Sequence, residues 1–154
     1  MSTGFVWHEK YMWHDTGSGA ASNIEPDEHF ENADTKRRLK NLLDLSGLSD
    51  ELIQLKPRMA TEQELLRFHT DEYVTQIRTL SDAYGGSAGP GTPFGAGSYE
   101  IAKLAAGGTI VATDAVLKGD VSNAYALVRP PGHHAERDLG RGFSIFANVA
   151  LAAM

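Results

Sequence analysis

The run Leu127-Val128-Arg129-Pro130-Pro131-Gly132-His133-His134-Ala135 constrains this chain more than any other segment. Residues 123–128 are mostly apolar and read as a buried strand, central in its sheet. Two prolines follow, each with a fixed φ and no amide hydrogen to donate. Gly132 then offers a conformation closed to other residues. The segment ends on two adjacent imidazoles. A strand that runs into so stiff a loop is suited to aiming two side chains. In parallel α/β sheets, ligands bind beyond the C-terminal ends of the strands.

The rest of the chain supplies such a sheet. Residues 4–7 are a short apolar run and a first strand. Thr16, Gly17, Ser18 and Gly19 form a turn signal. Residues 33–48 predict an amphipathic helix with Leu39, Leu42, Leu43 and Leu45 on its apolar side, Asp34 as N-cap and Gly47 as stop. Residues 52–55 alternate as a strand that Pro57 ends. Thr61 and Glu64 have capping-box spacing and mark a new helix start. Residues 71–83 predict a helix with Tyr73, Val74, Ile77 and Leu80 on one face.

Residues 85–98 are rich in glycine and proline and lack a period, so they read as a long functional loop. Residues 99–117 predict a largely buried helix. Gly107 and Gly108 in its middle cost helix stability, and close packing against another backbone is the expected compensation. Gly119 ends it. From Ala147 on, small apolar residues predict a helix packed on the sheet. Alternating α and β elements favour a parallel sheet.

Bulk properties exclude several classes. A chain of 154 residues, 42% hydrophobic and 22% charged, has the composition of one globular domain rather than a disordered protein. Its formal charge of −6 argues against a nonspecific nucleic-acid binder. It has no cysteine, which removes disulfides and thiolate metal sites and fits a reducing cytoplasm. No apolar run is long enough to cross a membrane, and the N-terminus lacks the pattern of a signal peptide.

Two imidazoles a few ångströms apart repel when both are protonated, so one is favoured as a neutral base while the other carries charge. Such a pair can activate a water and protonate a leaving amine. The alternative is a structural pair that caps backbone groups. Metal ligation is disfavoured, because ligands on one short segment usually sit two to four residues apart.

The segment Pro130 to Ala135, with Gly142, Phe143 and Asn148 downstream, resembles the signature of the histone deacetylase superfamily, and more closely its bacterial class II-like deacetylases and acetylpolyamine amidohydrolases. Leu65, His69, Tyr73 and Val74 resemble a helix junction of that family. Gly97 to Ala102 and the pair Gly107-Gly108 resemble a helix start and its glycine pair. Asp34 to Arg38 resembles the bacterial group. The resemblance implies a three-layer parallel-sheet fold of the arginase/deacetylase kind. It makes residues 1–154 the N-terminal portion of a single deacetylase domain whose C-terminal portion is absent.

It also implies zinc-dependent hydrolysis of an acetyl amide on lysine or a polyamine. His134 would be the general base and His133 its electrostatic partner or general acid. Gly142 and Phe143 would line the channel for the acetylated side chain, an apolar tube suited to a methylene stem. The implied zinc ligands, the carboxylates that orient the histidines and the catalytic tyrosine all lie beyond residue 154, so no metal ligand is assigned here. The partners implied are the acetylated substrate, with no nucleic acid and no membrane; a homo-oligomer is compatible.

The sequence departs from that pattern in places. The loop before Ser98 has no carboxylate to grip a substrate backbone, and Ser144 and Ala147 stand where a cysteine and an asparagine are common. His8 and His14 lie among Trp7, Tyr11 and Trp13 and read as aromatic packing or rim contacts. His29 reads as solvated, His69 as a helix-junction hydrogen bonder, residues 36–38 as an exposed helix face, and Glu136 and Asp138 as a solvated loop. Two other readings stand beside the enzyme: a short non-catalytic binding protein, and an inactive relic.

Overall fold

A computed structural model describes residues 1–16 and 31–154. The expected turn after Thr16 and the reading of His29 lie outside the described residues. The fold is α/β and its main sheet is parallel, as expected. Strands β1 (Thr3–Val6), β2 (Ile53–Leu55) and β5 (Asn123–Ala126) pair in the order β2-β1-β5. Gly4 stands opposite Ile53 on one side and Ala124 on the other. The apolar β1 is therefore the middle strand. Strand β5, expected to be central, is at the edge of this sheet among the described residues. Its alternate residues Asn123 and Tyr125 are exposed, and the Tyr125 ring stacks on Phe5 at 6.4 Å.

Helix α5 (Ser98–Leu117) is the spine of the molecule. Apolar residues surround most of it, which is the pattern of a buried helix rather than a surface one. Tyr99, Ala102, Ala106 and Ile110 join Leu65, Val74, Ile77, Phe94, Phe146 and Leu151 in one cluster. Ile101, Leu104 and Ala105 join Tyr11 and Met12 in a second. The expected close approach at the glycine pair is present. The Ala60 amide donates to the Lys103 carbonyl at 2.9 Å, drawing residues 58–60 across the helix. A Cβ on Gly107 would land on the Arg58 carbonyl oxygen and 2.6 Å from the Ala60 nitrogen.

Helix α4 (Asp71–Asp82) buries Tyr73, Val74 and Ile77 as predicted, with the Thr70 hydroxyl accepting from the Tyr73 amide as N-cap. The capping box at Thr61 is also as predicted and opens the short α3 (Glu62–Leu65). Arg58 braces it by donating to both Glu64 carboxylate oxygens, at 2.7 and 2.6 Å. That pairing holds Glu64 well below the usual carboxylate range.

Other expectations are corrected. Helix α1 (Ala33–Leu45) is capped by the Asn32 side chain, not Asp34, because Asn32 alone has the extended backbone that lets its carbonyl oxygen accept from the Thr35 amide. It stops at the left-handed Gly47, and α2 (Leu48–Glu51) follows. No residue of α1 is buried. Its Leu39 and Leu43 instead border, with Phe5, Leu52 and Tyr125, an apolar hollow of about 300 Å³.

Residues 85–98 are not a bare loop. They form the antiparallel hairpin of β3 (Gly85–Ser87) and β4 (Pro93–Gly95), in which Phe94 is fully buried. Helix α6 (Asn148–Ala153) packs on α5 rather than on the sheet. Lys36 is half-buried and paired with Glu31 at 2.8 Å, so it is not part of an exposed face.

Substituting Gly107 with valine should destabilise the fold by about 1–3 kcal/mol through overpacking against backbone that has no rotamer to yield. Urea titration followed by far-UV circular dichroism measures this.

Candidate active site

The tandem histidines stand where a rigid loop leaves the sheet. The last main-chain bond shared with β1 is the Leu127 amide to the Val6 carbonyl, 3.0 Å. Arg129 is buried immediately after it, and the Arg129–Pro130 peptide is cis. The Arg129 guanidinium gathers everything around this exit. Its Nε donates to both Glu31 carboxylate oxygens at 3.0 and 2.8 Å, and its Nη2 to the Glu31 carbonyl at 3.1 Å. Its Nη1 donates to the carbonyls of His14 at 2.5 Å and Tyr11 at 3.3 Å. Burial pulls the Arg129 affinity for its proton down, and the Glu31 charge opposes that pull. Sequence reasoning did not single out Glu31 or Arg129, which lie 98 residues apart.

Beyond Pro131 the loop turns against the start of α6. Gly132 is required here by close approach rather than by a positive φ, since a Cβ would lie 2.6 Å from the Asn148 Cβ. The Asn148 side-chain amide donates to the Pro130 carbonyl at 3.2 Å. The His133 and His134 rings follow, with centroids 4.2 Å apart and planes tilted by 53°. Both are exposed. The His134 amide donates to the Ser144 hydroxyl at 3.3 Å, which ties the pair to the next turn.

That turn carries Gly142 and Phe143, both with positive φ, 52° and 69°. Gly142 lies against the His134 imidazole: a Cβ there would be 2.7 Å from the His134 Cδ2. A phenylalanine in the left-handed region is a strained outlier, and such strain persists only where neighbours over-determine it. The hairpin tip does so here. The Gly140 amide donates to the Ala88 carbonyl at 2.8 Å, Gly142 to Pro90 at 3.2 Å and Phe143 to Gly91 at 3.0 Å. The structure thus gathers His133, His134 and Gly142 at one place and sets Phe143 beside them, held by a glycine-rich hairpin whose chemistry the sequence showed and whose pairing it hid.

The other singled-out residues fall outside this centre. His8 caps the first helical turn by accepting from the Lys10 amide at 3.0 Å. His14 is buried beside the Ser98 hydroxyl, 3.0 Å from its Nδ1. Glu136 pairs with Arg141 at 2.8 Å, exposed, and Asp138 is exposed too. His69 is a helix-junction hydrogen bonder, as expected. It is fully buried, and burial holds its pKa down to about 4. Among the described residues no three or more His, Asp or Glu side chains cluster as a metal centre needs. The described residues alone therefore do not form a zinc ligand set. Among them, too, no helix is long and apolar enough to cross a membrane.

Comparison with known proteins adds independent findings. Residues 29–154 match the histone deacetylase domain family. The chain is 46% identical over 158 residues to a histone deacetylase-like amidohydrolase of Pseudomonas aeruginosa, covering 97% of this chain and 42% of that protein. It is 35% identical to a probable deacetylase of Archaeoglobus fulgidus, covering 98% and 40%. It is 34% identical to human polyamine deacetylase HDAC10, covering 99% and 23%. Among solved structures, the HDA15 HD domain superposes with a TM-score of 0.88 at 30% identity, over 99% of this chain and 42% of that one. The chain spans less than half the length of each of these relatives.

Two outcomes are expected. Arg129→Met removes the fully buried cation from Glu31 and leaves it the half-buried Lys36, so it should cost somewhat less than about 3–5 kcal/mol, the cost of an uncompensated buried charge, read by urea titration. His69 supplies a pH dependence. It is neutral in the fold down to about 4 but takes a proton near 6.5 when unfolded, so between those values the unfolded chain binds more protons. Its stability contribution is complete above pH 6.5 and drains as pH falls toward 4, by roughly 3 kcal/mol. Urea midpoints at pH 7 and pH 4.5 should differ accordingly, and the difference should shrink in His69→Phe.

Proposed function

This chain belongs to the histone deacetylase family, and from that premise we propose that it supplies the tandem-histidine part of a site that hydrolyses an acetyl amide on lysine or on a polyamine. The observation that carries the reading is the His133–His134 pair at 4.2 Å, set at a strand end against Gly142. In this reading His134 takes a proton from the attacking water. The carbonyl–nitrogen bond breaks, and His133 delivers a proton to the departing amine, giving acetate and a free amine. Gly142 leaves room beside His134, and Phe143 forms one apolar wall for the methylene stem.

Lysine and polyamine substrates both belong to the reading, because the reacting group is the same in each. The names of relatives support both: one is a histone deacetylase-like amidohydrolase and another a polyamine deacetylase. Zinc dependence belongs to the proposal for the whole protein only, with ligands lying beyond residue 154, and no step here is routed through it. We further propose that residues 1–154 are the N-terminal portion of one deacetylase domain and that the protein acts in the cytoplasm.

The 154-residue chain by itself is expected to release no acetate from acetyl-lysine peptides or acetylpolyamines and to retain no stoichiometric zinc after dialysis. The chain extended to the length of its relatives is expected to turn over, and His134→Ala in that protein should lower kcat by about 100- to 10,000-fold, the range of a general base. An acetate-release assay reads both. Full turnover in the His134→Ala protein would remove the assignment.

A further inference from the structure

One buried group has so far no role in the proposed chemistry. The His69 imidazole, in the junction between α3 and α4, uses both of its nitrogens on main-chain groups distant in sequence. Nδ1 lies 3.0 Å from the Arg137 carbonyl oxygen, and Nε2 lies 3.0 Å from the Ala147 amide nitrogen. A carbonyl accepts only and an amide N–H donates only. The pair of partners therefore fixes one tautomer: a proton on Nδ1, a lone pair on Nε2. The two partners are also informative. Arg137 lies just past His134, and Ala147 lies just past Phe143 and Ser144, so the ring spans both feet of the arc that holds Gly142 and Phe143.

We propose that His69 is a positioning residue that fixes this arc, and through it the relation of Gly142 and Phe143 to His134. The assignment deepens the proposed function and rests on its reading of those three residues. Neighbours on α4 reinforce the same grip. The Thr70 amide donates to the Arg137 carbonyl at 3.2 Å, and the Tyr73 hydroxyl donates to the Ile145 carbonyl at 2.7 Å. The arc in turn reaches back to the histidines, since the Ser144 hydroxyl accepts from the His134 amide.

The surroundings of the ring keep it in that state. Phe68, Tyr73 and Phe146 lie 5.0–5.3 Å from it, centroid to centroid. Tyr73 is the titratable group among them, and burial keeps its hydroxyl protonated. Glu136 and Arg137 reach His69 through their backbone, and Asp138 acts on Tyr73. A phenylalanine at 69 would fill the same aromatic box while removing both polar ties. A role in packing alone would survive that change, and a positioning role would not.

The test uses the ¹⁵N-labelled chain and needs no turnover. In the unsubstituted protein at pH 7, ring nitrogen shifts should show His69 protonated at Nδ1 and bare at Nε2. In His69→Phe, with an unchanged circular dichroism spectrum, the Ala147 amide should exchange roughly 10- to 100-fold faster, the cost of an unmade buried hydrogen bond. The ring signals of His134 and Phe143 should shift, and His69→Gln, which offers a donor and an acceptor, should restore them in part. A proton on Nε2 in the unsubstituted protein overturns the proposal. So does a folded His69→Phe protein whose His134 and Phe143 signals stay in place. If that variant does not fold, the tautomer measurement decides alone. If all of these hold while no length of the protein releases acetate, the functional reading fails and the positioning role stands.

Discussion

The buried guanidinium of Arg129 is the constraint on which the arrangement depends. A charge fully removed from water is tolerated only when it is paired and its donors are met. Arg129 meets that demand with the Glu31 carboxylate and three carbonyls contributed by Tyr11, His14 and Glu31. Tyr11 lies in the first helical turn, His14 caps its end, and Glu31 stands just before the Asn32 cap of α1. Satisfying one cation therefore fixes the first helical turn, the entry to α1 and the exit from β5 relative to one another. The tandem histidines begin four residues after that cation, so their origin is set by it.

From that fixed origin the site is aimed by backbone rather than by side-chain packing. His133 and His134 are exposed, yet the loop that bears them is bracketed on two sides. The hairpin tip holds the Gly140–Phe143 turn through three amide–carbonyl bonds. The start of α4 holds the same arc through Thr70, Tyr73 and the His69 ring. This division of labour explains the strained φ of Phe143. A bulky residue in the left-handed region persists only where its surroundings over-determine it, and here both anchors come from consecutive elements, α4 and the β3–β4 hairpin, far in sequence from the turn they hold.

What could be read in the sequence follows the range of the interactions. Local signals were legible: the capping box at Thr61, the Gly47 stop, the buried face of α4, and the close approach at Gly107, where a glycine in a helix interior demanded a reason. The tandem-histidine loop was legible as well, because Pro130 and Pro131 announce rigidity in a single segment. The hairpin of residues 85–95 was hidden because glycine and proline have low strand propensity, and its pairing is driven by burial of Phe94 and by the arc it grips. The Arg129–Glu31 pair and the reach of His69 had no local signal at all. Their partners lie 68 to 98 residues away, and neither residue type specifies a partner. Among the described residues β5 lies at the edge of the sheet, and the expectation of a central strand differs for a related reason: alanine fits either position, and Tyr125, half-exposed and stacked on Phe5, marks the difference.

The exposure of the two imidazoles bears on how such a pair can divide its work. Repulsion between two protonated rings scales inversely with the effective dielectric. At a given separation it is about four times larger at an effective dielectric near 20 than in bulk water. Such repulsion is therefore weak where water reaches both rings and stronger where it does not. In the proposed reading, the 4.2 Å separation of the rings does not by itself divide them into an acid and a base; a cover that excludes water is also needed. Under the proposed function, an acyl chain lying along Phe143 supplies part of that cover by displacing water from the rings it reaches. In the proposed function, the division of roles between His133 and His134 is then a property of the occupied site rather than of the open one.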